Sequence, residues 1–191
     1  MLINKFVKVA NMAIEIEHKF LLKNNKWRKE VRNRVFIRDG LIFTKNSGKM
    51  RVRVFSDKGY ITIKTKKILN CRDEYEYEIP VNDANKIIDL NSDGRIIEKY
   101  RNYIQIGKNC WEIDEYTGLL EGIIIAEIEL QDVNENFQKP DWVGQEVTND
   151  ERFRVINMID QKITQNWEQA KIKMMNEILG EYLFPQFFKY N

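Results

Sequence analysis

The stretch Ile14-Glu15-Ile16-Glu17-His18-Lys19-Phe20 alternates apolar and charged residues. An extended chain sends successive side chains to opposite faces, so Ile14, Ile16, His18 and Phe20 share one side of a strand and Glu15, Glu17 and Lys19 the other. The apolar side reads as the face that meets a core. The other carries two carboxylates and an ammonium in a row, and the fold turns on whether that row meets water or looks into a site.

The same pattern recurs along the chain. Arg51 and Arg53 oppose Val52 and Val54, and Thr62 and Lys64 oppose Ile61 and Ile63. Glu74, Glu76 and Glu78 oppose Tyr75, Tyr77 and Ile79, while Lys99 and Arg101 share a face. Glu112 and Asp114 oppose Trp111 and Ile113, and Glu127 and Glu129 oppose Ile128 and Leu130. Solvated strand faces tend to mix Thr, Ser, Lys and Gln, whereas these faces segregate by sign, with acidic and basic pairs on separate strands. Eight strand candidates emerge, joined mostly by hairpin-length turns. Ser56–Gly59 makes a hairpin signal, Pro80 closes the strand before it, and Gly40 is a candidate bulge.

Helical spacing occurs in three places. Residues 24–33 form a polar stretch with Trp27 and Val31 at helical spacing. Residues 81–90 follow with Asn82 or Asp83 as N-cap, and the pattern from Val155 to Leu183 is helical throughout. Residues 134–153 read as loop with one short element. If helices cover the apolar face of the strands, the charged face lies outside an open sandwich or inside a closed barrel, and eight antiparallel strands can close. A bore lined by both acids and bases suits a highly charged anion held together with a divalent cation, with Arg and Lys gripping anionic oxygens and carboxylates taking the metal.

Composition narrows the function. Charged residues make up 31% of the 191 residues and apolar ones 43%, which is globular rather than disordered. Lys plus Arg number 31 and Asp plus Glu 29, so overall charge gives nucleic-acid binding no support. The single His18 excludes a His-rich metal site and leaves oxygen ligands, hence Mg²⁺, Mn²⁺ or Ca²⁺. Cys71 and Cys110 lack zinc-ligand spacing and read as reduced thiols of a cytoplasmic protein. No apolar run is long enough to cross a bilayer, so no membrane partner is expected. Residues 1–12 read as a lead-in to one domain over 13–191. Phe184, Phe187, Phe188 and Tyr190 stand together in the tail and admit a homodimer.

Glu15-Ile16-Glu17-His18-Lys19 resembles the ExExK signature of the CYTH superfamily, the triphosphate tunnel metalloenzymes. The resemblance continues in order through residues 50–55, 60–64, 72–80, 96–103, 111–116, 126–132 and 139–148, covering roughly Ala13 to Phe153. It implies an α+β fold: a closed eight-stranded antiparallel barrel with helices outside and a C-terminal helix from about residue 155. It also implies an enzyme, a Mg²⁺- or Mn²⁺-dependent triphosphatase acting on a small triphosphate, inorganic tripolyphosphate first. Adenylate cyclase of class IV, or thiamine or nucleoside triphosphatase activity, are the alternatives, with a non-catalytic polyphosphate or nucleotide binder as the reading from another class. Carried over by position, Glu15, Glu17, Glu76, Asp114, Glu127 and Glu129 form the metal-binding acidic set. Lys19, Arg51, Arg53, Lys64, Lys99, Arg101 and Arg152 hold the triphosphate. Glu17, Glu78 and Glu129 are the catalytic carboxylates. The sequence departs from the family pattern at His18, where Arg is common, at Asp39–Ile42, where a Tyr is lost at Leu41, and after Arg152.

Overall fold

The computed structural model describes residues 16–45, 48–65, 74–132 and 134–164. Its strands are β1 (Ile16–Leu22), β2 (Asn33–Lys45), β3 (Gly48–Phe55), β4 (Lys58–Lys64), β5 (Glu74–Ile79), β6 (Ile96–Ile106), β7 (Asn109–Thr117), β8 (Ile124–Leu130) and β9 (Val143–Glu146). Two α-helices, α1 (Val81–Asn91) and α2 (Val155–Thr164), and 3-10 turns at Lys26–Lys29, Gly118–Leu120 and Glu151–Phe153 complete it. The strands form one antiparallel sheet in the order β5-β4-β3-β2-β6-β7-β8-β1-β9.

The expected closed eight-stranded barrel is therefore wrong: the sheet has nine strands and is open, with β5 and β9 at its ends. Closure requires the first and last strands of the ladder to bond to each other. Here the edge of β1 that faces away from β8 is taken by β9. Phe20 pairs with Glu146 and Leu22 with Val143. The Val147 N–H donates to the Lys19 carbonyl at 2.8 Å, and the Lys19 N–H to Thr148 Oγ1 at 3.1 Å. The α+β class stands. β9 falls within residues 134–153, where the sequence offers loop and one short element, and it is not recognisable as a strand there because four residues including a glycine show no alternation.

The chain divides into two compact units, one containing residues 39–95 and the other residues 16–38 with 96–164. In the first, β3 and β4 form the expected hairpin, with Phe55 opposite Lys58 and Ser56 at φ 56° in the turn. The helix α1 lies on the apolar face, burying Ala84 and Ile88 beside buried Val52 and Val54. Close approach dictates two glycines. A Cβ on Gly59 would stand 2.7 Å from Ala84 Cβ, and one on Gly40 would stand 3.0 Å from Ile88 Cγ1. The helix starts earlier than expected, with Pro80 rather than Asn82 or Asp83 as N-cap (φ −56°, ψ 135°). Proline's fixed φ suits that junction, and Asp83 falls in the first turn, where a carboxylate complements the helix dipole.

In the second unit the core gathers on one face of β1, β6, β7 and β8. Phe20, Trp111, Ile113, Ala126, Ile128 and Trp142 are fully or almost fully buried there. The short helix expected around Trp27 is a four-residue 3-10 turn that delivers that indole into the core. The helix expected from Val155 is seen as α2, which buries Met158 and Ile159 and packs on two of the 3-10 turns. Its continuation to Leu183, the aromatic tail, Cys71 and the lead-in lie outside the described residues. Among the described residues no helix is long and apolar enough to cross a membrane.

Candidate active site

In the second unit the charged face opposite the aromatic core is not a solvated one. Lys99, Asp114 and Glu127 are buried, at 6%, 0% and 7% exposure. Strand register builds the row. Arg101 pairs with Asp114 across β6 and β7, Glu112 with Glu127 across β7 and β8, and Lys19 with Glu127 across β8 and β1. Side chains directly opposite in a ladder lie about 5 Å apart, close enough for each charge to meet its neighbour.

Arg101 is the hub. Its Nε donates to Asp114 Oδ1 at 2.7 Å and its Nη2 to Asp114 Oδ2 at 2.7 Å and Glu127 Oε2 at 3.0 Å. Its Nη1 meets Glu112. Lys99 Nζ donates to Asp114 and lies 5.5 Å from the Tyr116 ring centroid. Lys19 Nζ donates to Glu127 and pairs with Glu17 at 3.0 Å. A low-dielectric site with this many unlike charges is stable only when they interlock.

The protonation equilibria follow. Burial alone would raise the Asp114 carboxyl, but Lys99 and Arg101 hold it well below the usual carboxylate range. Burial works against the Arg101 and Lys19 cations, and their carboxylate partners nevertheless hold both above their ordinary values. Burial, reinforced by the charge of Glu127, pushes Glu17 up to about 7 despite Lys19. Burial also raises Glu112, with Arg101 opposing. Glu17, Glu112 and Glu127 thus carry a local excess of negative charge that Lys19 and Arg101 only partly relieve.

Beside this row lies a cavity of about 480 Å³, lined in part by Glu112, Glu129 and Glu135. Glu129 pairs in register with Glu17 and is exposed to water. Glu135 is fixed on the rim by the Gln131 N–H at 2.9 Å, Asn109 Nδ2 at 3.0 Å and Lys108 Nζ at 2.9 Å, which hold its carboxyl down at about 2.

The first unit carries its own charged face. Arg51 stands opposite Thr62, and Thr62 opposite Glu76. The buried Thr62 hydroxyl accepts from Arg51 Nη2 at 3.2 Å and donates to Glu76 Oε2 at 3.1 Å. Lys64 pairs with Glu74 at 2.9 Å, and Lys58 with Glu78 at 3.2 Å. Burial, then the neighbouring charge of Arg53, lowers the Arg51 guanidinium below its ordinary value. Arg53 is clamped in bidentate fashion by Asp39, at 2.6 and 2.7 Å.

The structure thus brings together Glu17, Lys19, Lys99, Arg101, Asp114 and Glu127, with Glu129 beside them, in one unit. It gathers Arg51, Arg53, Lys64, Glu76 and Glu78 in the other. Glu76 and Glu78 are exposed. Arg152 pairs with Asp150 at 2.7 Å, and Glu15 lies outside the described residues. Two participants escaped the sequence assignments. Asp39, only 4% exposed, sits in an apolar-looking strand without an alternating acidic neighbour. The sequence puts Glu112 on the charged face without marking a role for it. Its place two residues before Asp114 on β7 was the available signal.

The donors suit a hard divalent cation in kind, since the groups on this face able to ligate a metal are all carboxylates. Among the described residues, however, no group of three or more Asp, Glu, His or Cys is arranged to hold a metal. The Lys19 ammonium and the Arg101 guanidinium stand among those carboxylates instead.

The chain matches the CYTH domain over residues 13–157. It is 45% identical over 148 residues to an inorganic triphosphatase of Acetivibrio thermocellus, covering 78% of this chain and 94% of that protein. It is 30% identical over 145 residues to an inorganic triphosphatase of Nitrosomonas europaea, covering 73% and 93%. Among solved structures, a crystal structure of an inorganic triphosphatase matches with a TM-score of 0.59 at 27% identity, over 76% of this chain and 93% of that one.

Proposed function

We propose, on the premise that the chain belongs to the CYTH family, that it is a metal-dependent hydrolase of inorganic tripolyphosphate. The carrying observation is the buried row Lys19–Glu127–Arg101–Asp114–Lys99, cations and carboxylates interleaved on a face turned away from water. Burying such charges is costly, and a purely structural face would serve as well with apolar residues. The triphosphatase names of the relatives at 45% and 30% identity support the substrate class.

Family membership implies a divalent metal, and Mg²⁺ or Mn²⁺ fits the all-oxygen donors. Glu17, Glu127 and Glu129 would hold it, with Glu112 and Asp114 behind them. The ion, when bound, supplies neutralisation of phosphate oxygens and a more acidic water. The chain's own groups do the rest. Lys99 and Arg101 bind the anion's oxygens, Arg101 with its planar fork, as Lys19 turns from Glu127 toward the same anion. In the first unit, Arg51, Arg53 and Lys64 are the cations that the family resemblance carries over as phosphate-binding residues. Glu129, water-exposed beside Glu17, accepts the proton of the attacking water, a role that the Lys58-paired Glu78 serves less well. The free, exposed Cys110 thiol fits a reducing, cytoplasmic setting.

The test is phosphate and pyrophosphate release from tripolyphosphate, ATP and thiamine triphosphate, each with Mg²⁺, Mn²⁺ or EDTA, in the wild type and in Glu17→Gln. Fast metal-dependent release from tripolyphosphate, reduced about 10²-fold or more in the variant, is the expected result. Pyrophosphate with cyclic AMP from ATP would replace this reading with a cyclase. Tight tripolyphosphate binding without turnover would replace it with a binding module.

A further inference from the structure

Residues 23–38 carry seven basic side chains, Lys23, Lys26, Arg28, Lys29, Arg32, Arg34 and Arg38, against one acid, Glu30. Of the chain's 31 basic and 29 acidic residues this leaves 24 and 28 elsewhere, so a near-neutral chain concentrates its basic excess in this one segment. All seven belong to the second unit, and all but Arg38 are exposed. They are set apart from the buried row: in β2, Arg34, Phe36 and Arg38 alternate with buried Ile37. Arg34 contacts Tyr100 and Arg38 contacts Glu98, residues on the face of β6 opposite Lys99 and Arg101.

The patch is partly built in advance. The Arg28 guanidinium lies over the Trp27 ring at 4.4 Å and that of Arg34 over Tyr100 at 3.8 Å. Arg28 is also held by Glu115 at 2.6 Å, and Arg34 faces the same carboxylate at 3.7 Å. Both planes are thereby fixed with donors to spare. Lys23, Lys26, Lys29 and Arg32 have no ion-pair partner among the described residues. Glu115 relieves Arg28 and Arg34, and Glu98 relieves Arg38; the other four cations lack that relief among the described residues, and an added polyanion lowers their mutual repulsion.

We propose that this surface is a docking site for long-chain inorganic polyphosphate, the choice of anion resting on the triphosphatase reading. Single-stranded nucleic acid fits less well because its binders offer aromatic faces for base stacking. Here Trp27 is fully buried and Tyr100 is covered by Arg34, with Phe36 5.2 Å away on its other contacts. An anionic membrane fits less well because interfacial binding inserts apolar side chains, and Phe36 is the one large exposed apolar residue in the stretch.

The experiment measures binding of fluorescently labelled long-chain polyphosphate in EDTA across a salt series. It compares the wild type with the triple variant Lys26→Glu, Lys29→Glu, Arg32→Glu, whose side chains are exposed. Tripolyphosphate hydrolysis is assayed alongside, with labelled single-stranded RNA and anionic vesicles as parallel probes. Expected are a tenfold or greater loss of polyphosphate affinity in the variant, a shallower salt dependence, and tripolyphosphate kcat/KM within twofold of wild type. Unchanged polyphosphate affinity overturns the proposal, as does RNA or vesicle binding that is tighter than polyphosphate binding and lost in the variant. Loss of hydrolysis in the wild-type protein would overturn the triphosphatase reading while leaving the binding result to stand by itself.

Discussion

The two units handle charge in opposite ways. On β3, Arg51 and Arg53 stand two residues apart, Arg51 lowered by burial and then by its like-charged neighbour, while the carboxylates of β5 remain exposed. On β6, Lys99 and Arg101 have the same spacing, but Asp114 and Glu127 lie buried against them. Spacing along a strand is identical; what differs is whether the neighbouring strand brings its acids inside. The first arrangement meets its cations with the buried Asp39 and with exposed carboxylates of β5, and the exposed ones yield to an incoming anion at little cost. The second interlocks both signs and leaves a surplus of carboxylate at Glu17 and Glu112, which favours a cation.

The comparison breaks most readily at Asp114. Asp114→Asn removes the shared counter-charge of Lys99 and Arg101 and should cost about 3–5 kcal/mol of stability, measured by denaturant unfolding. Glu78→Gln, at a carboxylate whose side chain is 57% exposed, should stay within about 0.5 kcal/mol. Equal effects would mean the two units do not differ in this way.

A smaller effect sharpens the anion side. Arg53→Lys loses the bidentate contact with Asp39 and should raise the KM for tripolyphosphate about tenfold, with kcat changed much less. Asp39→Asn should raise KM in the same direction but by less, because Arg53 stays charged while its orientation is no longer fixed. A fall in kcat at constant KM would place Arg53 in the chemical step instead.

A third effect is in pH. Glu17 titrates near 7 in the folded metal-free protein against an ordinary value of 4.5. The folded state then binds more protons than the unfolded state across that window, so this group's contribution to stability falls as pH rises from about 4.5 to about 7. In EDTA, Glu17→Gln should flatten that decline, seen as a smaller drop in Tm over the window. An unchanged pH profile would show that another group sets it.

Much of this was legible along the chain. Alternation marked seven of the nine strands and which side chains share a face, because pleating is local, and an apolar run marked β2. Sign segregation picked out Glu17, Lys19, Lys99, Arg101, Asp114 and Glu127, which the fold does bring together. Asp39 was missed because one acid among Ile37, Arg38 and Gly40 carries no periodic signal, and its partner Arg53 is fourteen residues away.

By itself, then, the sequence determined eight of the nine strands, their charged faces, and the family, since all three depend on residue order within short segments. Only tertiary structure decided that the sheet stays open, that Asp114 is sealed while Glu78 meets water, and that Arg101 serves three carboxylates. Those outcomes depend on which strands become neighbours. Four residues of β9 on the edge of β1 were enough to change the closed barrel to an open sheet, and pairing between distant segments leaves no trace in the local pattern of either.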